Sequence, residues 1–525
     1  MSYSSSFVHD YVRRLEQASY AGGRLYSGEI PCYDVRDAAD RDLLVSTSTP
    51  ESFVLGTGAS IFTDAILPAI ASAASEVIFV TCFWAPSKTL SAFHDVLAKL
   101  AAHRSALIRD AAARGAPPIA PLRVRICLSS RSVLQKLLHP QSRNGYIYPP
   151  SAWQKQLGLP DPALLSAAGI VLSVKSLFFL PFSVMHPKFV IIDRERAFIT
   201  SCNVSWESWL EGCVQVTGGA VLGLLSFYAR TWEIDLDFRT PLERQLSSSQ
   251  RLDALETGLL AISSAAHYRV AIPPKAAALP TLVLPSTHHR NPRFRPLPWQ
   301  ASPEVPATPL NVAILELFDR AERSIYVQTP NLTCEPAVAA LLEALKRGVD
   351  VTIITSCNMM LLEQLLTAGT TTSRCIRLFV SRFRQLKGES GGHQLGRSVR
   401  RGHLRDASAN SLQDLEAGRP RTGRLRISYF QTRPTSKSSD HEGRPLMASQ
   451  SEEEEPVHSH LKLTIVDDEY TVLGSGNMDR ASWYTSQELG VLFHDGEFAA
   501  AVKAGVDTVL DGRLKSIIDS TRDRG

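Results

Sequence analysis

The sequence predicts an α/β fold made of two similar halves, because one order of helices and strands occurs twice. Each occurrence reads helix, strand, helix, strand, with apolar residues at helical spacing and short buried strands between them. Such alternation predicts a mostly parallel sheet flanked by helices in each half, and the repetition indicates an internal duplication. The segments are 60–75, Glu76–Phe83, 89–115 and Leu122–Leu128 in the first half, and 309–323, Ser324–Thr329, 335–348 and 349–355 in the second.

Composition indicates a folded protein with an anionic partner. The chain has 525 residues, of which 44% are hydrophobic and 21% charged, proportions typical of folded domains. A net charge of +4 suits an anionic substrate and does not distinguish lipid from nucleic acid. Eight scattered cysteines without a CxxC pair argue against a zinc site or a disulfide framework. The first residues lack an apolar signal core, so we expect an intracellular protein, cytoplasmic or peripheral on a membrane.

The chain divides into two halves and less regular segments. An insertion at about 386–456 is rich in Gly, Arg, Ser and Glu, so we expect it to be disordered apart from a strand at Arg424–Gln431. Its basic run Arg397–Arg405 suits a solvated linker, and alternatively an anionic ligand. The predicted segments are an N-terminal extension (1–53), a first half (54–240), a connector (241–307), a second half (308–512) and a C-terminal tail (513–525).

Residues Leu164–Met185 are long and apolar enough to suggest a membrane span. Gly169, Pro181 and several serines interrupt the segment, so we do not expect it to cross a membrane.

A duplicated motif carries the chemistry. MHPKFVIID contains His186, Lys188 and Asp193, and SHLKLTIVD contains His460, Lys462 and Asp467, so both follow H-x-K-x-x-x-x-D. After each Asp, six residues intervene before TSCN or GSGN, which align Ser201 with Ser475 and Asn203 with Asn477. Side chains two residues apart on a strand share a face, so each His and Lys can point into one pocket.

The duplicated motif resembles the signature of the phospholipase D superfamily. The resemblance implies two half-domains with the active site between them, and cleavage or exchange of a phosphodiester through a covalent phosphohistidine. It implies no metal and no other cofactor. One polypeptide supplies both motifs, so an oligomer is not required.

The resemblance also implies roles for the motif residues. His186 is expected to be the nucleophile and His460 the general acid and base, although the order can be reversed. Lys188 and Lys462 are expected to stabilise phosphate oxygens, with the paired serines and asparagines at the substrate. Asp193 and Asp467 belong to the catalytic motif, but we expect them to hold the end of the motif strand.

Each histidine also needs an acceptor for its second ring nitrogen. Glu488 lies 28 residues after His460, and Glu211 lies 25 residues after His186. Glu488 resembles the orienting acid of the superfamily, and Glu211 is the corresponding candidate in the first half.

The substrate stays open at this point. The apolar run Ser176–Met185 before His186 suits either acyl chains or ordinary core packing. Four tryptophans near the motif loops suit a membrane interface, base stacking or packing; they are Trp84, Trp206, Trp209 and Trp483. We expect a phospholipid substrate, with hydrolysis or transphosphatidylation and peripheral membrane association. The alternatives are a nucleic-acid phosphodiesterase or nuclease, and an inactive lipid-binding scaffold.

Overall fold

The structure is a computed structural model. It describes residues 6–21, 33–139, 144–179, 183–240, 242, 246–253, 255–272, 278–286, 304–392, 422–433 and 453–521. The basic run Arg397–Arg405 and most of the expected insertion lie outside the described residues.

The described chain alternates helices and strands in both halves. The strands are β1 Val45–Thr57, β2 Glu76–Phe83, β3 Leu122–Ser130, β4 Tyr146–Ile147, β5 Ile170–Ser176, β6 Phe178–Phe179, β7 Ser183–Val184, β8 Phe189–Ile192, β9 Arg196–Thr200, β10 Trp209–Gly218, β11 Tyr268–Val270, β12 Leu279–Ser286, β13 Ser324–Gln328, β14 Asp350–Ser356, β15 Leu425–Phe430, β16 His458–Ser459, β17 Leu463–Val466, β18 Tyr470–Gly474, β19 Glu488–His494 and β20 Leu514–Asp519. The helices are α1 Ser6–Ala21, α2 Ala38–Leu44, α3 Gly58–Ile61, α4 Leu67–Ala71, α5 Lys88–Ala113, α6 Val133–Leu138, α7 Pro150–Leu157, α8 Pro162–Ala167, α9 Gly219–Trp232, α10 Pro309–Arg320, α11 Glu335–Lys346, α12 Leu361–Ala368, α13 Thr372–Gly392, α14 Arg480–Tyr484 and α15 Gly496–Leu510. A π-helical turn, Phe62–Ile66, joins α3 to α4.

The α/β fold class and the repeated order are confirmed. The predicted parallel pairing forms the core of each half, where β2, β3 and β5 run parallel, as do β13, β14 and β15. Antiparallel strands then extend each core, from β2 through β8, β9 and β10, and from β13 through β17, β18 and β19. Each half therefore has a mixed sheet, and the motif strands β8 and β17 belong to its antiparallel part.

Segments outside the expected halves take part in the sheet. The expected extension provides most of β1, and the expected connector provides β11 and β12. Because β1 pairs with β10 and β12 pairs with β19, the antiparallel pairing of β1 with β12 joins the two half-sheets. The strand expected at Arg424–Gln431 is confirmed as β15, which lies between β14 and β20.

Three apolar clusters fill the layers. One contains Phe79, Phe93 and Leu100 and packs the outer helices of the first half on its sheet. A second, around Phe318 and Leu341, does the same for the second half. The third lies between the sheets and combines residues of both halves with α9 and α15. The halves therefore share a core, and burial of apolar surface favours their association.

No described helix has the length and apolarity needed to cross a bilayer. The segment Leu164–Met185 instead forms the end of α8, the strand β5 and the small β6–β7 hairpin. Of the apolar run before His186, Leu177, Phe178, Phe179 and Met185 are buried, which favours core packing for this run.

Each motif aspartate accepts hydrogen bonds from backbone N–H groups of its own half. The Asp467 carboxylate accepts hydrogen bonds from the backbone N–H groups of Glu322 (2.9 Å), Arg323 (2.7 Å) and Ser324 (2.9 Å) at the start of β13. The Asp193 carboxylate accepts from the corresponding N–H groups at residues 74–76 before and within β2. Both aspartates therefore fix the ends of the motif strands, as expected.

Replacing Asp467 with alanine should destabilise the fold more than replacing Asp468. Both residues have left-handed backbones, with φ of 54° and 53°, so alanine is equally strained at the two positions. Only Asp467→Ala also leaves three backbone donors without their carboxylate. We expect it to lower the free energy of unfolding by about 2–4 kcal/mol more than Asp468→Ala, measured by urea denaturation. Equal losses would contradict this structural role.

Candidate active site

The two motif histidines enter one buried site from opposite halves. His186 precedes β8, which pairs with β2 at Val80, near the carboxyl end of the parallel core. His460 precedes β17, which pairs with β13 at Gln328, at the equivalent end of the other core. Carboxyl ends of parallel strands commonly border ligand sites. His186 contacts Glu488 of the second half, and His460 contacts Glu211 of the first half, so both rings lie where the halves meet.

The orienting glutamates cross between the halves. Nδ1 of His186 lies 2.8 Å from a carboxylate oxygen of Glu488, and Nδ1 of His460 lies 2.8 Å from Oε1 of Glu211. Each histidine therefore contacts the glutamate that follows the other motif. The sequence identified both acids, but chain offsets within each half did not reveal that the contacts are exchanged.

Backbone pairing between the halves produces this exchange. The N–H of His186 donates to the carbonyl of Gln487 (3.0 Å), directly before Glu488. The N–H of His460 donates to the carbonyl of Leu210 (2.8 Å), directly before Glu211. These parallel contacts align each imidazole with a carboxylate on the opposite half.

The lysines are buried beside the histidines. Nζ of Lys188 donates to the carbonyl of His186, and Nζ of Lys462 donates to the carbonyl of His460, both at 2.7 Å. Each ammonium is thus held by the backbone of its own motif. Two buried lysines in one site favour a ligand with concentrated negative charge, because such a ligand stabilises their ammonium forms.

The paired serines hydrogen-bond to the strands that carry the orienting glutamates, and their expected contact with substrate stays a prediction. Ser475 Oγ donates to Glu488 Oε2 (2.5 Å) and accepts from the N–H of Leu489 (3.0 Å). Ser201 Oγ accepts from the N–H of Gly212 (3.0 Å), the residue after Glu211. Both hydroxyls are buried, and they brace the strands that carry the orienting glutamates.

The two asparagines differ from each other. Asn203 Oδ1 accepts from the N–H of Phe83 (3.2 Å), so the rest of its amide remains available as a donor. Asn477 Nδ2 donates to Asp479 Oδ2 (2.9 Å), while its buried Oδ1 has no hydrogen-bond partner among the described residues. Each amide therefore keeps an N–H that can donate to a ligand, and the expected contact of both asparagines with substrate stays a prediction.

The four tryptophans have separate environments. Trp84 and Trp483 are buried and donate to the carbonyls of Leu157 and Asn477. Trp206 is exposed and contacts Phe83 edge-on. Trp209 lies against His460, with ring centroids 4.8 Å apart. Its position two residues before Glu211 is the only sequence signal for this contact.

The environment keeps both histidines neutral. Burial lowers the pKa of His186; Glu488 opposes this effect, and Lys188 and Lys462 add to it. Burial lowers the pKa of His460 further, well below its ordinary value, with contributions from both lysines. Burial also raises the pKa of Glu211 and lowers that of Lys462. A neutral, oriented imidazole is competent as a nucleophile.

Comparisons with known proteins agree with the motif. Residues 314–509 match a family model described as cardiolipin synthase, PLD-like domain. The matched residues lie in the second half of the chain and include its motif, His460, Lys462 and Asp467. No curated protein sequence matches it significantly.

Two solved structures are among those similar to the chain. Phosphatidylserine synthase from Haemophilus influenzae is 14% identical, with 93% of each chain covered and a TM-score of 0.47. The phospholipase D family member Nuc from Salmonella typhimurium is 17% identical, with 45% of this chain and 96% of that chain covered and a TM-score of 0.23.

The imidazole of His186 should titrate below pH 6.5. Its pKa is lowered, so the ring stays neutral above that pH and becomes protonated only in more acidic solution. Glu488→Gln removes the charge that favours imidazolium and should move the midpoint lower still. Carbon-13 NMR of labelled histidines measures both midpoints, with the signal assigned by its loss in His186→Gln. A midpoint that rises in Glu488→Gln would contradict the contact.

Proposed function

We propose that the protein hydrolyses or exchanges the phosphodiester of a phospholipid through a covalent phosphohistidine. The observation that carries the proposal is the pair of neutral histidines in one site, each oriented by a glutamate from the opposite half. Two buried lysines supply the positive charge that a phosphodiester needs. The match of residues 314–509 to a cardiolipin synthase family model supports a phospholipid substrate.

The first step forms the phosphohistidine. Because Nδ1 of His186 contacts Glu488, Nε2 is the nitrogen left to attack phosphorus. The new N–P bond forms as the P–O bond to the leaving alcohol breaks, and His460 gives that oxygen a proton. Lys188 and Lys462 stabilise the charge on the non-bridging oxygens.

The second step reverses these roles. His460 takes a proton from water or an acceptor alcohol, whose oxygen attacks phosphorus and releases His186. Water gives hydrolysis, and an alcohol gives transphosphatidylation with the same residues. His460 is neutral between the steps, and the proton that it takes from water or the alcohol in the second step restores its imidazolium, so atoms and charge balance.

The protonation state of His460 depends on whether substrate is bound. In the free site, burial and the two lysines disfavour its proton. A bound phosphodiester anion offsets the lysine charges, so it favours the imidazolium needed for protonating the leaving oxygen. The reverse assignment, with His460 as nucleophile, uses the same contacts.

Removal of either histidine should abolish turnover of phospholipid. We expect His186→Ala and His460→Ala to lower kcat by at least about 10³-fold, measured as release of head group from labelled phosphatidylglycerol. His94→Ala, which changes a solvent-accessible histidine of α5, is the matched control and should keep full activity.

Three results distinguish the alternatives. Turnover of single-stranded DNA without turnover of lipid would favour the nucleic-acid enzyme. Binding without turnover of either, unchanged in His186→Ala, would favour a scaffold. A phosphorus label trapped on His460 rather than His186 would reverse the order of the two histidines.

Chelation of divalent cations should leave turnover unchanged. The described residues include no group of three or more His, Cys, Asp or Glu side chains placed to hold a metal ion, and neither proposed step uses one. Head-group release is measured with and without EDTA. Loss of activity that is restored by a divalent cation would contradict the proposed chemistry.

A further inference from the structure

Two short helices present leucines to solvent. In α6 these are Leu134, Leu137 and Leu138, and in α12 they include Leu362, Leu365 and Leu366; each of the six is 52–78% exposed. The helices occupy equivalent places, since α6 follows β3 and α12 follows β14. Exposed apolar residues are ordinary when they are scattered, but six on two corresponding helices form a patch. We call these six residues the leucine patch.

The polarity of both helices is inverted. Among their described side chains, the buried residue of α6 is Gln135 and that of α12 is Gln364. Gln135 Oε1 accepts from the N–H of Arg131 (3.0 Å), and Gln364 Nε2 donates to Asn331 Oδ1 (2.8 Å). Polar side chains therefore anchor the helices, while the leucines point away from the protein. A helix on a water-facing surface normally has the opposite arrangement.

Both helices border the candidate active site. The N–H of Met185, just before His186, donates to Ser129 Oγ (2.9 Å) near the end of β3. The N–H of Ser459, just before His460, donates to Ser356 Oγ (3.0 Å) at the end of β14. The leucine helices begin within five residues of these two serines. Each helix is thus fixed close to the peptide that carries a motif histidine.

Charged side chains of the two helices face the same site. Glu363 of α12 is exposed to solvent, yet enough protein surrounds its carboxyl to raise its pKa to about 7. Asp479 and Glu488 add to this effect, while Lys136 of α6 and Lys188 oppose it. The polar side chains of both helices therefore border the catalytic groups, with the leucine patch at the rim.

A cationic helix continues from α12. The helix α13 begins four residues after α12 ends and carries five exposed basic side chains with Leu378 among them. Residues 372–388 contain no acidic residue. The basic residues are Arg374, Arg377, Arg382, Arg384 and Lys387. This charge complements an anionic surface next to the leucine patch.

We propose that the leucine patch docks the protein on a phospholipid bilayer that contains anionic lipid. The leucines insert at the boundary of head groups and acyl chains, and the α13 cations contact anionic head groups. Docking in this orientation presents the site between the motifs to the bilayer surface, where a phosphodiester lies at head-group depth. The role of the docking, which is to present the site to its lipid substrate, rests on the proposed function. The docking itself requires no turnover.

Vesicle binding tests the docking without catalysis. Full-length His186→Ala protein is sedimented with vesicles of phosphatidylcholine, with and without phosphatidylglycerol. Combining Leu138→Ser with Leu362→Ser should weaken partition onto the mixed vesicles at least about tenfold, since each change removes a large apolar side chain from the interface. The matched control combines Leu260→Ser with Ile234→Ser, which are also exposed but lie outside both helices, and should bind normally. Unchanged partition of the leucine variant would overturn the proposal.

A charge reversal tests the cationic part. Arg377→Glu with Arg384→Glu should reduce the preference for vesicles containing phosphatidylglycerol and leave binding to pure phosphatidylcholine unchanged. Equal binding to both vesicle types in the unaltered protein would overturn the role of α13.

Two more readouts separate the explanations. With His186 intact, the leucine variant should turn over a dispersed short-chain phospholipid normally and bilayer lipid poorly. If no lipid is turned over while binding still depends on the leucines, the proposed function fails and the docking surface stands. Sedimentation velocity checks for a second copy on the patch: loss of a dimer in the leucine variant, with unchanged vesicle binding, would overturn the proposal.

Discussion

The exchanged histidine–glutamate contacts are the interaction on which the site depends. His186 is oriented by Glu488 and His460 by Glu211, so neither half completes its own imidazole pair. Both carboxylates are buried, and a buried carboxylate without its partner is costly. Apolar burial and the β1–β12 pairing hold the halves together. The exchanged contacts fix the position of each imidazole relative to the opposite half.

Duplication explains both the likeness and the differences of the two sides. Each motif makes the same three kinds of hydrogen bond to the backbone. The aspartate accepts from N–H groups near the start of a strand, the serine hydroxyl accepts from the strand that carries a glutamate, and the lysine donates to the histidine carbonyl. The two sides differ in the residues next to the imidazoles. Trp209 packs on His460, whereas Ser486 holds the corresponding position before Glu488. Such differences give the two imidazoles different surroundings, which suits a reaction that needs two different roles.

Much of the fold followed from local sequence pattern, and the site followed in part. The bounds of buried strands such as Glu76–Phe83 were predicted correctly, because a short apolar run between two helices is typical of a buried strand. β1 and β12 were not predicted, because their partner strands are distant in the chain. Pairing between the halves produces no periodic pattern in the local sequence. The same limit hid the exchange of Glu211 and Glu488. The hydrogen bonds of the serines were not predicted either, because the motif shows residue type and spacing, whereas the direction of a hydroxyl depends on the neighbouring strand.

The electrostatics of the site favour an anionic ligand. Burial lowers the pKa of both imidazoles, and the two buried lysines add to this effect, so the site disfavours further positive charge. In the proposed reaction, a phosphodiester binds beside both lysines and supplies negative charge there. This charge raises the affinity of an imidazole for the proton that the leaving oxygen requires. The proposed nucleophile and acid then differ by which ring is protonated beside the bound anion.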